Sequence, residues 1–181
     1  MEMKMETMPL DEGKLISHEY PLSLFQKILL TTDGSVTHLL ALYAGEKISV
    51  HKIEQFIGQG DAPAEMQCAP DARLLHRKIM LVDSKRKHVY AESTFVFERF
   101  SQTIQTKLLE TDTPIGTLWK QEKVEMYREI IDIRVEHCAT VAEHFGLPAD
   151  TQLLSRSYLL HQGGLPLGVI TEKFPLASFH A

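Results

Sequence analysis

The sequence predicts an α+β fold, a single domain in which a mostly antiparallel sheet of about six strands carries helices packed against it. Three observations point there. Runs rich in β-branched and aromatic residues come as adjacent pairs, Leu74 to Val82 with His88 to Phe97 and Leu153 to His161 with Leu165 to Phe174, each pair separated by a short turn segment. The elements follow the order helices, strand, hairpin, helix, further strands, which is not the strand and helix alternation of a parallel sheet. Length and composition fit one domain: 181 residues, 44% hydrophobic and 24% charged.

Residues 1–16 read as a flexible leader, with the domain spanning 17–181. Leu22 to Leu30 has the apolar spacing of a helix, and Thr31-Thr32-Asp33-Gly34 breaks it. Ser35 can then cap a second helix that runs through Ala44 and stops at Gly45. Ile48 to Ile57 reads as a first strand whose alternation slips phase, and segment 58–70, with its Gly and Pro residues, as a loop. The first hairpin turns at Asp83 to Lys87. Phe100 to Glu110 is helical, and Pro114 suits the first turn of a short helix over Thr117 to Glu122. Tyr127 to Arg134 alternates as a strand, although a helix also fits. His137 to Phe145 is a helical turn stopped by Gly146, and the last hairpin turns at Gln162-Gly163-Gly164.

Charge and composition exclude several classes of function. The net charge is −5 and the one basic run, Lys85-Arg86-Lys87, sits at a hairpin tip, so the phosphate-binding face that nucleic acid needs is missing. Apolar runs are too short to span a bilayer, and MEMKMETMPLDEGK has no signal-peptide core. A cytoplasmic location is expected. Cys68 and Cys138 are too few for a disulfide framework and lack metal-finger spacing, so both read as plain thiols.

Two charged residues violate the alternation of their strands. Between Leu165 and Phe174, Glu172 shares a face with Gly168, Ile170 and Phe174, while Thr171 and Lys173 face the other way. Between Leu74 and Val82, Arg77 shares a face with Leu75, Ile79 and Leu81, opposite His76 and Lys78. An unpaired buried charge costs several kcal/mol, so an inward Arg and an inward Glu either pair with each other or flank a polar ligand. The first alternative is an Arg77 to Glu172 salt bridge without catalytic use; the second is a binding site.

Four motifs in order decide how this pair is weighed: Asp33-Gly34-Ser35-Val36-Thr37, Leu75-His76-Arg77-Lys78-Ile79-Met80-Leu81, Thr113-Pro114-Ile115-Gly116, and Gly164-Leu165-Pro166-Leu167 running into Ile170-Thr171-Glu172-Lys173-Phe174. Together they resemble the chorismate pyruvate-lyase family, including its divergent branch of small homologues, over roughly residues 30 to 175. The resemblance implies that Arg77 and the backbone amides of Val36 and Ile115 hold a substrate carboxylate. It implies that Glu172 hydrogen-bonds the ring hydroxyl at the other end, where it is the natural candidate to assist the proton, as a base or only by positioning the substrate. The implied reaction is cofactor-free elimination of pyruvate from chorismate to give 4-hydroxybenzoate, with no metal. Residue chemistry agrees, since Arg offers a planar fork for a carboxylate and the first N–H groups of helices favour an anion. Val36 and Ile115 differ from the residues at these places in better-known members, a mild change where only the backbone is recruited.

Other signals are weaker. His137 and His144, near Cys138 and Glu143, have poor metal spacing, and a solvated helical face is the simpler reading. Ser35 and Ser157 lack a nucleophile motif. Arg128 and Arg156 could extend an anion seat, although surface cross-strand ion pairs are the default, and Trp119, Phe95 and Phe97 read as core. The alternative function is a non-catalytic module binding a small aromatic carboxylate, because the same fold resembles the effector domains of certain transcription regulators.

Overall fold

The two hairpins form the centre of the fold in a computed structural model, which describes residues 7–180. The strands are β1 (Met8–Pro9), β2 (Ser49–Gln59), β3 (Arg73–Val82), β4 (Lys87–Val96), β5 (Tyr127–His137), β6 (Gln152–Gln162) and β7 (Leu165–Pro175). The helices are α1 (Glu12–Ile16), α2 (Leu24–Thr31), α3 (Val36–Ala44), α4 (Gln102–Glu110), α5 (Ile115–Gln121) and α6 (Ala139–Phe145). All seven strands belong to one antiparallel sheet, ordered β1-β5-β6-β7-β4-β3-β2. Pairing of β4 with β7 joins the two hairpins edge to edge. Their shared front face carries α1 to α5.

Local chemistry accounts for the boundaries. Ser23 and Gln26 form a reciprocal capping box that starts α2, and Ser35 caps α3 through its bond from the His38 amide. Gly45 and Gly146 close α3 and α6 in the left-handed conformation that a side chain disfavours. Gly163 and Gly164 both have positive φ, as a two-residue hairpin turn requires. α5 begins at Ile115, directly after Pro114, two residues before the expected start.

The leader reading needs correction. Residues 1–6 lie outside the described residues, but Met8 and Pro9 pair with Val135 and Arg134 of β5, and Leu15 of α1 is 1% exposed. A two-residue strand and a five-residue helix carry too little periodicity to be read from sequence, whereas burial of Leu10 and Leu15 against the sheet holds them in place.

Two bulges set which residues face the helices. In β2 the register shifts between Lys52 and Glu54, so the front face passes from Ile48, Val50 and Lys52 to Gln55. This is the phase slip expected from the sequence. In β5 a shift between Ile130 and Asp132 lets Ile130 and Ile133 both reach the front, which explains why its alternation was ambiguous.

Front-face packing forms two clusters. α1, α2 and α3 pack on Ile79, Leu81, Ala91, Leu154 and Phe174, while α4 and α5 pack on Leu75, Phe95, Leu160 and Ile170. Gly168 lies at the second cluster, and a Cβ there would approach the Phe95 ring at 2.2 Å and the Thr94 carbonyl at 2.8 Å. Gly168→Ala is therefore expected to destabilise the fold by about 1–3 kcal/mol, the scale of overpacking, readable as a lowered urea midpoint with unchanged slope. Among the described residues, no helix is long and apolar enough to cross a membrane.

Candidate functional site

The sheet register explains why Arg77 and Glu172 do not pair. Arg77 on β3 lies opposite Ser93 of β4, and Glu172 on β7 lies opposite Ala91 of β4. The two charges are thus two strand spacings apart, about 10 Å between strand axes, with only small side chains on the strand between them. Both are buried, at 3% and 7% exposure. The internal Arg77 to Glu172 salt bridge, one of the two alternatives, is absent.

Each charge has its own surroundings. Arg77 Nε donates to Gln55 Oε1 at 2.9 Å, and Gln55, placed opposite Arg77 by the β2 bulge, in turn donates to the Leu108 carbonyl. Arg77 Nη2 is buried without a hydrogen-bond partner. Burial draws the Arg77 pKa down to about 10 against an ordinary 12.5, with Asp112 opposing. The guanidinium remains charged across the neutral range and has no close counter-charge.

Glu172 is held from its own sheet. Arg156 sits directly across on β6 and donates Nε to Oε2 at 2.7 Å, while Tyr158 donates its hydroxyl to Oε1 at 3.1 Å. Arg156 is 1% exposed, its guanidinium lies over the Tyr158 ring at 4.8 Å, and its Nη1 reaches the Thr32 carbonyl at 2.7 Å. Burial opposes the charge of Arg156, but Glu172 and Tyr158 together hold its pKa above the ordinary value. Burial, then Glu172, push the Tyr158 pKa up, so the phenol stays a donor. Arg156 is therefore no surface ion pair; it is the buried partner of Glu172, the place that one of the two alternatives gave to Arg77. Arg128 also departs from that default, donating to the Asp33 carbonyl in the loop before α3.

α3 and α5 bring the remaining candidates over the same face. Their N-termini meet, since a Cβ on Gly116 would lie 3.7 Å from Ser35 Oγ. Their first N–H groups, at Val36 and Ile115, have no partner within the helix. Val36, Arg77, Ile115 and Glu172 all line one cavity, together with Ala91, Ser93, Trp119, Arg128 and Tyr158. It leaves about 60 Å³ reachable by the centre of a water molecule, several times what one water needs. Its lining carries two guanidinium groups, Arg77 and Arg128, against one carboxylate, Glu172, an excess of one positive charge. A larger groove of about 420 Å³ on the opposite sheet face is lined by side chains that bond one another, Lys78 with Glu54 and His76 with Thr94.

Gln55 and Tyr158 were missed as site residues, and Arg156 was offered as an extension of the anion seat, not as the partner of Glu172. Alternation places Arg156 and Tyr158 on one face of β6, and an inward Arg was a readable signal; Gln55 was hidden by the bulge. Among the described residues no group of three or more His, Cys, Asp or Glu is placed to hold a metal, and His144 instead stacks on Tyr90 at 5.6 Å.

Comparison with known families agrees with the four motifs. A family profile described as chorismate pyruvate-lyase Rv2949c-like matches residues 30–180, which contain all four motifs. The chain belongs to this family. The chorismate pyruvate-lyase of Mycobacterium leprae (strain TN) is 29% identical over 154 residues, covering 82% of this chain and 72% of that relative. That of Mycobacterium tuberculosis (strain ATCC 25618 / H37Rv) is 25% identical over 155 residues, covering 82% and 78%. Among solved structures, the effector domain of PhnF from Mycobacterium smegmatis aligns with a TM-score of 0.64 at 12% identity, covering 80% of this chain and 90% of that one. At that identity the likeness is one of fold.

Proposed function

We propose that the chain is a chorismate pyruvate-lyase that converts chorismate to 4-hydroxybenzoate and pyruvate without a cofactor. The observation that carries this reading is the buried Arg77 with an unpartnered Nη2, facing a cavity whose far side holds Glu172. A carboxylate ligand would offset the excess positive charge and satisfy the free donor. Val36 and Ile115 N–H groups would share that carboxylate, and Glu172 would accept from the ring hydroxyl. The small side chains of Ala91 and Ser93 leave room for the ring between the two ends.

In this reaction the bond between the ring carbon and the ether oxygen breaks, the adjacent ring carbon bearing the hydroxyl loses its proton, and the enolpyruvate leaves with that oxygen and takes up a proton as it ketonises to pyruvate. Aromatisation drives it, so the protein needs to orient the substrate, exclude water and stabilise charge. Glu172 lies at the end where the proton departs. Arg156 and Tyr158 fix its direction, leaving further lone pairs for the substrate.

The test is direct. Purified protein should form pyruvate and 4-hydroxybenzoate from chorismate in equal amounts, with or without a chelator. If pyruvate stays at the uncatalysed background while 4-hydroxybenzoate binds in calorimetry, the second reading holds, a carboxylate-binding module. The fold shared with the PhnF effector domain favours that second reading.

A further inference from the structure

Trp119 is the chain's single tryptophan and lines the cavity between the two sheet clusters. It is 4% exposed and meets Phe95 edge-on at 6.1 Å, which suits a core aromatic. Its indole does not. Nε1 is buried with no hydrogen-bond partner among the described residues, whereas buried indole N–H groups ordinarily find an acceptor. Packing against Phe95 alone would be served by an apolar ring.

Position narrows what the acceptor is. Trp119 and Ile115 are four residues apart on α5 and share a face, and helical side chains lean toward the N-terminus. The indole is thereby carried over the turn that begins at Ile115. Asp112, just ahead of α5, pairs with Lys52 of β2 at 3.0 Å, and Gln55 of the same strand accepts from Arg77, so Arg77 and the start of α5 belong to one end of the cavity. That end holds buried donors and no buried carboxylate; Glu172 is two strands away, with Arg156 and Tyr158 on its oxygens.

Resting on the proposed aromatic carboxylate site, we infer that the Trp119 indole N–H is a specificity-determining ligand contact, donating to the same carboxylate that Arg77 holds. A carboxylate has about four acceptor positions, so one bond from Arg77 Nη2 and one each from the Val36 and Ile115 N–H groups leave a position for the indole N–H. A carboxamide in its place would turn an N–H group toward one of these donors. Trp119 therefore selects an anionic carboxylate over its neutral amide.

One spectrum tests this without a substitution, because ¹⁵N-labelled protein has a single indole N–H cross-peak. Adding 4-hydroxybenzoate is expected to move that proton downfield in step with backbone peaks of the site. In calorimetry, Trp119→Phe is expected to weaken 4-hydroxybenzoate about 10- to 100-fold, the range for a hydrogen bond to a charged group, and to leave 4-hydroxybenzamide within about twofold. A static indole peak while backbone peaks titrate, or equal 4-hydroxybenzoate affinities in the two proteins, overturns the Trp119 contact and leaves the proposed site standing. A spectrum in which nothing titrates overturns both.

Discussion

Arg77→Met is expected to raise the melting temperature of the ligand-free protein while removing carboxylate binding. The opposite signs follow from the surroundings of Arg77. Its folded-state pKa, about 10, lies below the ordinary 12.5, so the charged form is disfavoured by folding at every pH below about 10. The penalty is fully present at neutral pH and fades only as pH rises through that value. Met keeps much of the volume and removes the buried charge, although Gln55 loses one hydrogen bond worth about 1 kcal/mol. A net gain of about 1–2 kcal/mol, a few degrees in a chain of this size, is expected. Binding of 4-hydroxybenzoate should weaken by about 2–5 kcal/mol, the range for truncating one member of a buried charge pair. Calorimetry and thermal melts on one preparation read both. A destabilised variant with unchanged affinity would mean that Arg77 serves the fold.

Glu172→Gln should behave differently, because Glu172 has a structural partner. Turnover of chorismate is expected to fall at least about 100-fold, the scale of general acid and base assistance. Stability should fall too, by about 3–5 kcal/mol, because Arg156 would be left buried at 1% exposure without its counter-charge. The double variant Glu172→Gln with Arg156→Met separates the two losses. It should regain most of the stability in a urea titration and none of the pyruvate production. Recovery of turnover along with stability would assign Glu172 to architecture.

Much of this was legible because strands have a period of two. Alternation in LPLGVITEKF and LLHRKIMLV places Glu172 and Arg77 on the buried face, where the helices pack over the candidate site. Caps were legible for a similarly local reason, as with Ser23 and Gln26 or Ser35. Residues 7–16 were not, since what orders Leu10 and Leu15 is contact with distant strands. Gln55 was lost to the bulge after Lys52, because one extra residue reverses the face of everything beyond it.

The sequence by itself determined the antiparallel α+β class, the inward direction of two charges and the motif order that the family profile matches. Those depend on neighbours along the chain, whose geometry the backbone dictates. Only the tertiary structure decided the partners. β4 enters between β3 and β7, separating Arg77 from Glu172 by two strand spacings, and β6 brings Arg156 to Glu172 instead. Strand order is a long-range outcome of packing, so it left no local trace in the sequence. It is also what leaves Arg77 Nη2 buried without a partner, because the acceptors a strand donor meets depend on which strands lie beside it.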